Sequence, residues 1–374
     1  MKKLIISILV VLAVFAVVSL YAQKKTENKE IKSSAVNAAK AEVYFTKDIS
    51  PNGLMKAFEK IRPSVKGKRI GLKVHFGEDG NKYYIKPAMM KDLVKSLNST
   101  FVETNVLYVG KRRYTESHIK LAKEHGFTYA PIDILDSEGT IEYPATGLKH
   151  IKKAIVGSHM NNYDTIVVLS HFKGHKGAGV GGAIKNVAMG LGAIAGKMAM
   201  HASTIPTVNS SKCIKCGICV PQCPGNAITI EPKVVIDPLK CIGCAKCIGL
   251  CPTRVYGVPW GSTDTPAFME KLVEYAKIIK DNKHMVYINV LADISPDCDC
   301  MSSAGKPFVK DIGIVVSTDM LAIDSASYDL VNEAVHTKDA FAKHSGVSGR
   351  PQIEYGKKIG LGNDVYQLID LDKK

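Results

Sequence analysis

Eight of the ten cysteines in this 374-residue chain form two copies of one pattern. The copies are Cys213-x-x-Cys216-x-x-Cys219-x-x-x-Cys223-Pro224 and Cys241-x-x-Cys244-x-x-Cys247-x-x-x-Cys251-Pro252. Three thiolates so close in sequence can wrap three corners of a compact cube, and Gly217 and Gly243 let the backbone turn near the sulfurs and aim N–H groups at them. The fourth cysteine of each copy lies too far along to close the same cube, and in this motif class it ligates the other centre. The spacing therefore predicts two [4Fe–4S] clusters, one on Cys213, Cys216, Cys219 and Cys251, the other on Cys241, Cys244, Cys247 and Cys223. Structural zinc and disulfides are the alternatives. Zinc ribbons pair their cysteines across longer spacers, and disulfide frameworks rarely duplicate C-x-x-C-x-x-C.

Between the copies, residues 227–230 and 234–236 alternate like two short strands around a Glu231-Pro232-Lys233 turn, so residues 205–257 read as a complete ferredoxin-type α+β domain. The chain is far longer than such a domain requires. With 46% hydrophobic and 23% charged residues it can build a sizeable separate core. Strands are expected at 68–75, 104–109, 164–170, 285–292 and 312–317, and helices at 87–97, 115–125, from about 182, 265–282 and 325–335. Phe268, Leu272, Tyr275 and Ile279 share one face of the 265–282 helix. Strand and helix alternate on both sides of the cysteine segment. The expected fold class is thus a discontinuous α/β domain (42–204 and 258–374) with the cluster domain inserted in it.

The N-terminus carries an address. Lys2 and Lys3 precede an apolar run from Leu4 to Leu20, so residues 1–22 read as a signal peptide or a membrane anchor. Leu20 fits a cleavage site after Ala22 poorly, which keeps the anchor in play. Residues 23–41 are polar, lysine-rich and aperiodic, a linker. This reading places the body in membrane association or export, on the extracytoplasmic face. It conflicts with cytoplasmic assembly of clusters, since the N-terminus has no twin-arginine pair for export of a folded protein.

A second informative stretch is Ser170-His-Phe-Lys-Gly-His-Lys-Gly-Ala-Gly-Val-Gly-Gly-Ala-Ile-Lys-Asn186. Gly177, Gly179 and Gly182 satisfy G-x-G-x-x-G, but six residues separate the strand from the first glycine, and no acid occurs between Thr165 and Ile230 to take a ribose hydroxyl. The same stretch carries His171, Lys173, His175, Lys185 and Asn186. A glycine-rich loop opening a helix, ringed by lysines, suits an anion such as phosphate or carboxylate. The plain alternative is a flexible loop with solvated lysines. The last two cysteines, Cys298 and Cys300, follow an expected strand, where α/β sheets assemble their sites. They could hold an additional metal or a third cluster with His171 or His175, cycle as a redox pair, form a strained disulfide, or stay idle.

These segments resemble the iron–sulfur family catalogued as domain of unknown function 362, in its variant with an inserted two-cluster ferredoxin. The resemblance rests on Lys73-Val-His-Phe-Gly-Glu78, Thr104-Asn-Val-Leu-Tyr108 with Arg112 or Arg113, Ser170-His-Phe-Lys-Gly-His175 leading to Gly182-Ala-Ile-Lys-Asn186, Pro296-Asp-Cys-Asp-Cys300, and Ser317-Thr-Asp319 with Ala322-Ile-Asp324. It runs from about residue 42 to the C-terminus and leaves out the N-terminal address. It implies an iron–sulfur protein of redox type, with His171, Lys173, His175, Lys185, Asn186, Cys298 and Cys300 in one shared site.

Charge narrows the partners. The formal balance of +15 falls to about +11 with two oxidised clusters of about −2 each. A basic body favours acidic redox partners, anionic lipid or anionic small molecules. Nothing resembling a nucleic-acid module accompanies the charge, so nucleic acid is not an expected partner. The leading expectation is an oxidoreductase that passes single electrons through the two clusters to or from an anionic small-molecule site in the α/β domain. The alternatives are a non-enzymatic membrane-associated carrier, serving for example a flavoprotein, and a redox or iron sensor.

Overall fold

The computed structural model describes residues 40–373; the expected N-terminal signal or anchor and nearly all of the linker lie outside them. No helix among the described residues is long and apolar enough to cross a membrane.

The chain builds a mixed α/β fold around a large, mostly parallel sheet. Its eight strands are β1 (Ala41–Thr46), β2 (Ile70–Lys73), β3 (Thr100–Glu103), β4 (Ile132–Ile134), β5 (Thr165–His171), β6 (Met285–Leu291), β7 (Gly313–Ser317) and β8 (Tyr366–Asp370), in the order β8-β1-β7-β6-β5-β2-β3-β4. β7 runs antiparallel to both its neighbours and the other pairings are parallel. The central strands Thr-Ile-Val-Val-Leu-Ser-His and Met-Val-Tyr-Ile-Asn-Val-Leu are buried at every position. Strands covered on both faces read as continuous apolar runs, which is why the sequence shows them so plainly.

Successive side chains feed two cores. Ile166 and Val168 point into one, with Ile184 and Val187 from α4 (Ala183–Leu191) and Leu272 and Ile279 from α7 (Thr265–Asn282). Val167 and Leu169 point into the other, with Leu54 and Phe58 from α1 (Pro51–Phe58) and Leu93 from α2 (Lys91–Leu97). The result is three layers, helix on sheet on helix. The remaining longer helices are α3 (Thr115–Glu124), α5 (Ile194–His201), α8 (Met320–Ala334) and α10 (Arg350–Lys358), with short α6 (Lys246–Leu250) and α9 (Ala340–Ser345). Asp264 caps α7 by accepting from Ala267 N at 2.7 Å, and the expected face of Phe268, Leu272, Tyr275 and Ile279 is the buried one.

Two elements depart from the sequence reading. The expected strand at 104–109 is a loop, and the sheet strand is Thr100–Glu103 just before it. Val106 and Leu107 are buried by packing across the ends of the strands, so their apolar character mimicked a strand. The last sheet helix begins at Met320, not Ser325, because Asp319 accepts from Leu321 N and Ala322 N at 2.9 and 3.0 Å and starts it early.

The order of connection fixes where a site can form. From β2 the chain moves outward to β3 and β4, then returns to place β5 on the other side of β2 and β6 beyond it. The switch lies between β2 and β5, and the crevice past their carboxyl ends is the expected binding position in such a sheet.

The N-terminus of α4 is held across this crevice. Asp324 of α8 accepts from Ala183 N (2.8 Å), Ile184 N (2.9 Å) and Asn289 Nδ2 (2.8 Å). Replacing Asp324 by Ala leaves these buried donors unpaired and is expected to cost about 2–4 kcal/mol, read as a lower midpoint in urea unfolding followed by circular dichroism. An unchanged midpoint would contradict this role.

Candidate functional site

Segments from the carboxyl ends of β2, β3, β5 and β6 meet over the switch point and line a cavity of about 550 Å³. β2 continues into His75, β3 ends at Glu103, β5 ends at His171, and β6 leads to Cys298 and Cys300. The sheet alignment thus gathers residues that are more than two hundred positions apart.

Asp299 fixes the cysteine turn. It is fully buried, accepts from His171 Nδ1 at 2.8 Å, and pairs with Lys173 Nζ at 3.1 Å. The Lys173 contact is an ion pair lacking a well-aligned hydrogen bond, which leaves Oδ2 without a hydrogen-bond partner. Burial opposes the Asp299 charge, but His171 and Lys173 hold the carboxyl well below its usual range. Cys298 and Cys300, on either side of it, both line the cavity. Lys185 Nζ lies 3.3 Å from Cys298 Sγ. A hydrogen bond from Cys300, then the Lys185 and Lys173 charges, hold the Cys298 thiol far below its usual range despite burial. The same hydrogen bond, with burial, pushes Cys300 up. Lys185 and Cys300 thus favour a thiolate on Cys298 over one on Cys300.

His175, Cys298 and Cys300 bring one ligand atom each within 4.8 Å of one another, a group that could hold a metal ion. Both histidines named from sequence are already committed to protein partners. The ring nitrogens of His171 face Asp299 Oδ1 and Ala292 O, each at 2.8 Å. With both nitrogens held by oxygens, neither is free for a metal. This corrects the expectation of His171 as a metal ligand. Its role is to orient Asp299. His175 Nδ1 accepts from Gly177 N (3.0 Å) and Ala178 N (2.9 Å). Burial, with Lys185 nearby, keeps the ring neutral, so Nε2 carries its hydrogen.

Lys173, Lys185, Lys197 and Arg112 bring positive charge to the cavity, and Glu103 is the one carboxylate among its lining residues. Glu103 is already matched by Lys73 and Arg112, each at 3.0 Å. Asn186 holds Lys73 by accepting at 2.7 Å and donates to Leu169 O and Ser170 Oγ. The cavity also has an aromatic wall: His201 stacks on Phe268 with ring centres 4.7 Å apart and meets Trp260 edge-on at 4.9 Å. A cavity with one basic wall and one aromatic wall suits a small anion with a planar or apolar body.

The glycine loop serves this cavity differently from the sequence reading. Lys173–His175 pairs with Gly179–Gly181 as a small hairpin. The helix N-terminus behind it is not open to an anion, because Asp324 occupies its first N–H groups. The sequence showed no acid locally, and this one arrives from 140 residues away. Gly179 has φ +73° and a Cβ there would sit 2.2 Å from Ser348 O; at Gly182 it would sit 2.4 Å from Asp324 Oδ1. Both are glycine for packing, although Gly182 and Gly177 also line the cavity. Tyr108, Arg112, Trp260 and Phe268 also line the cavity although none was named as a site residue from sequence: Tyr108 and Arg112 stand in a family motif with no role attached, and Trp260 and Phe268 join the site only in space.

The eight repeated cysteines lie in residues 213–251, and their two halves share one backbone. Left-handed conformations recur two and four residues after the first cysteine, at Lys215 and Gly217 and again at Gly243 and Ala245, and three residues after the last, at Asn226 and Arg254. Ala227 N donates to Cys223 Sγ and Val255 N to Cys251 Sγ, each at 3.3 Å. Cys223, Cys241, Cys244 and Cys247 line one hollow together with Cys219. Burial and the neighbouring Cys244, Cys241 and Cys223 push the Cys247 thiol up to about 12. Four sulfurs gathered so closely cannot all ionise without a cation among them, so this donor set fits a metal centre.

One layer of side chains separates this lobe from the cavity. Leu107 lines the cavity and packs in the lobe's core, and on α5 Lys197 and His201 line the cavity while Met198, with Ala202 just past the helix, joins that core. Arg113 ties the two by donating to Leu107 O (2.7 Å) and Ala245 O (3.1 Å).

The model of the family described as domain of unknown function (DUF362) matches residues 70–329. The chain belongs to that family. No curated protein matches it by sequence. Among solved structures it is similar to the lactate racemase apoprotein from Thermoanaerobacterium thermosaccharolyticum, at 15% identity over 78% of this chain and 57% of that one, with a TM-score of 0.43. It is also similar to a protein from Thermotoga maritima, at 8% identity over 77% of this chain and 59% of that one, with a TM-score of 0.39. The chain spans less than two thirds of the length of either.

Lys197 supplies a pH test of the cavity wall. It donates to Thr104 Oγ1, Asn105 O and Gly192 O, and burial lowers it to about 8 despite Asp136 and Glu103. A lysine depressed in the folded state penalises folding below its folded value, and the penalty lifts as pH rises from about 8 towards the unfolded value. The stability of wild type relative to Lys197→Met is therefore expected to rise by on the order of 3 kcal/mol between pH 8 and 10.5 and to stay flat from pH 6 to 7.5. A flat difference throughout would place the ammonium in water.

Proposed function

We propose that this protein is an iron–sulfur oxidoreductase, in which residues 205–257 form an inserted two-cluster ferredoxin domain between the two parts of the α/β domain. Cys213, Cys216, Cys219 and Cys251 would hold one [4Fe–4S] cluster and Cys241, Cys244, Cys247 and Cys223 the other. Bound there, the clusters supply one-electron chemistry. The observation that carries this reading is the repeated left-handed backbone around both cysteine sets, with N–H groups aimed at matching sulfurs. Zinc sites and disulfides call for no such duplicated sulfur cradle.

The chain's own residues define what the electrons serve. Lys185, Lys173 and Arg112 neutralise an anionic small molecule, and Phe268 and Trp260 cover its apolar body. His175 offers Nε2–H as a hydrogen-bond donor beside the thiol pair. A simple carrier needs no such cavity one side-chain layer from its metal centres, which favours the enzyme over the carrier and the sensor. Exposed Ile214, Ile218, Leu239 and Ile242 on the cysteine lobe suit docking of a redox partner protein, such as a flavoprotein. Export or membrane association remains part of the proposal through the N-terminal segment.

Electron paramagnetic resonance of the reduced protein tests the ligand assignment. Cys251→Ser and Cys223→Ser are each expected to lose one of two signals, the first the centre on Cys213 and the second the centre on Cys241. Lys185→Ala is expected to keep both. Loss of both signals in Lys185→Ala, or no signal in wild type, would overturn the reading.

A further inference from the structure

We propose that Cys298 and Cys300 form a reversible disulfide, a two-electron store between the one-electron centres of the cysteine lobe and the molecule bound in the cavity. The inference rests on the iron–sulfur reading for its source of electrons, and on the cavity's geometry for everything else.

Three observations carry it. The two sulfurs lie in the group of donors within 4.8 Å of one another, both on the cavity wall, while the intervening Asp299 is anchored away from it by His171 and Lys173. The turn is thus held with both sulfurs on one side, and Met301 N closes it by donating to Cys298 O at 2.9 Å. Lys185 at 3.3 Å stabilises a thiolate on Cys298, the form that attacks a disulfide or leaves from one. Finally, neither nearby histidine is free for a metal: both ring nitrogens of His171 are held by oxygens, and the acceptor nitrogen of His175 is taken by Gly177 N and Ala178 N.

The step balances. The Cys298–Cys300 S–S bond breaks on uptake of two electrons and one proton, giving a thiol on Cys300 and a thiolate on Cys298 beside Lys185. The reductant is a one-electron iron–sulfur donor acting twice, and the proton comes from the Lys185 ammonium, which is reprotonated from water. In reverse, the thiol–thiolate pair loses two electrons and one proton to a two-electron acceptor bound among the lysines.

Full-length protein, purified anaerobically, is poised in graded dithiothreitol redox buffers, quenched with an alkylating reagent and digested. The peptide with Cys298 and Cys300 is expected to carry no alkyl group at oxidising poise and two at reducing poise. Dithionite titration of the oxidised wild type is expected to consume about two more electrons per chain than Cys300→Ser, with equal cluster signals in both. Free thiols at every poise, or protection that only a chelator removes, would overturn the inference and leave the iron–sulfur reading standing. Absence of iron and sulfide would overturn that reading instead, while the alkylation result stays readable.

Discussion

Asp299 is the constraint on which the site depends. A carboxylate with no exposed surface must be matched by a hydrogen-bond donor and a cation, and here they come from the end of β5 and just beyond it, as His171 and Lys173. That pairing locks the turn after β6 against the strand beside it. Both thiols then have one direction to face, and the cavity follows. The same logic repeats one strand over, where Glu103 at the end of β3 is held by Lys73 of β2 and by Arg112. Two buried acids, each held by a lysine from a neighbouring segment and by a second donor, stitch the carboxyl edge of the sheet across its switch point.

This arrangement explains how an acid-poor stretch can sit in the middle of the fold. The cations between 165 and 230 are not simply solvated: Lys173 and Lys197 are buried, and their partners arrive from distant segments or from backbone oxygens. After those pairings Lys185 is left with a thiol as its hydrogen-bond partner. Enclosed beside an aromatic wall, Lys185 is the cation that an anion in the cavity would meet.

Much of this was legible in the sequence, for particular reasons. The strands Thr165–His171 and Met285–Leu291 announced themselves because burial on both faces leaves no polar position to interrupt them. The cysteine spacing is local, so its two halves could be read directly. His171, Lys173, His175, Lys185, Asn186, Cys298 and Cys300 were grouped from sequence, and the structure brings them around one crevice. What was not legible depends on distance. Asp324 closes the N-terminus of α4 from 140 residues away and removes the helix end as an anion site. Val106 and Leu107 look like strand residues because they are buried, although both line the cavity past the strand ends and Leu107 packs in the core of the cysteine lobe. Nor could residue order reveal that both nitrogens of His171 are committed to oxygens.

The central claim is that the repeated cysteines hold iron–sulfur clusters beside an anion-binding cavity. Its most direct test is the iron, acid-labile sulfide and zinc content of anaerobically purified protein. The account predicts about eight iron and eight sulfide per chain with no zinc. Zinc in place of iron, with no sulfide, would contradict it.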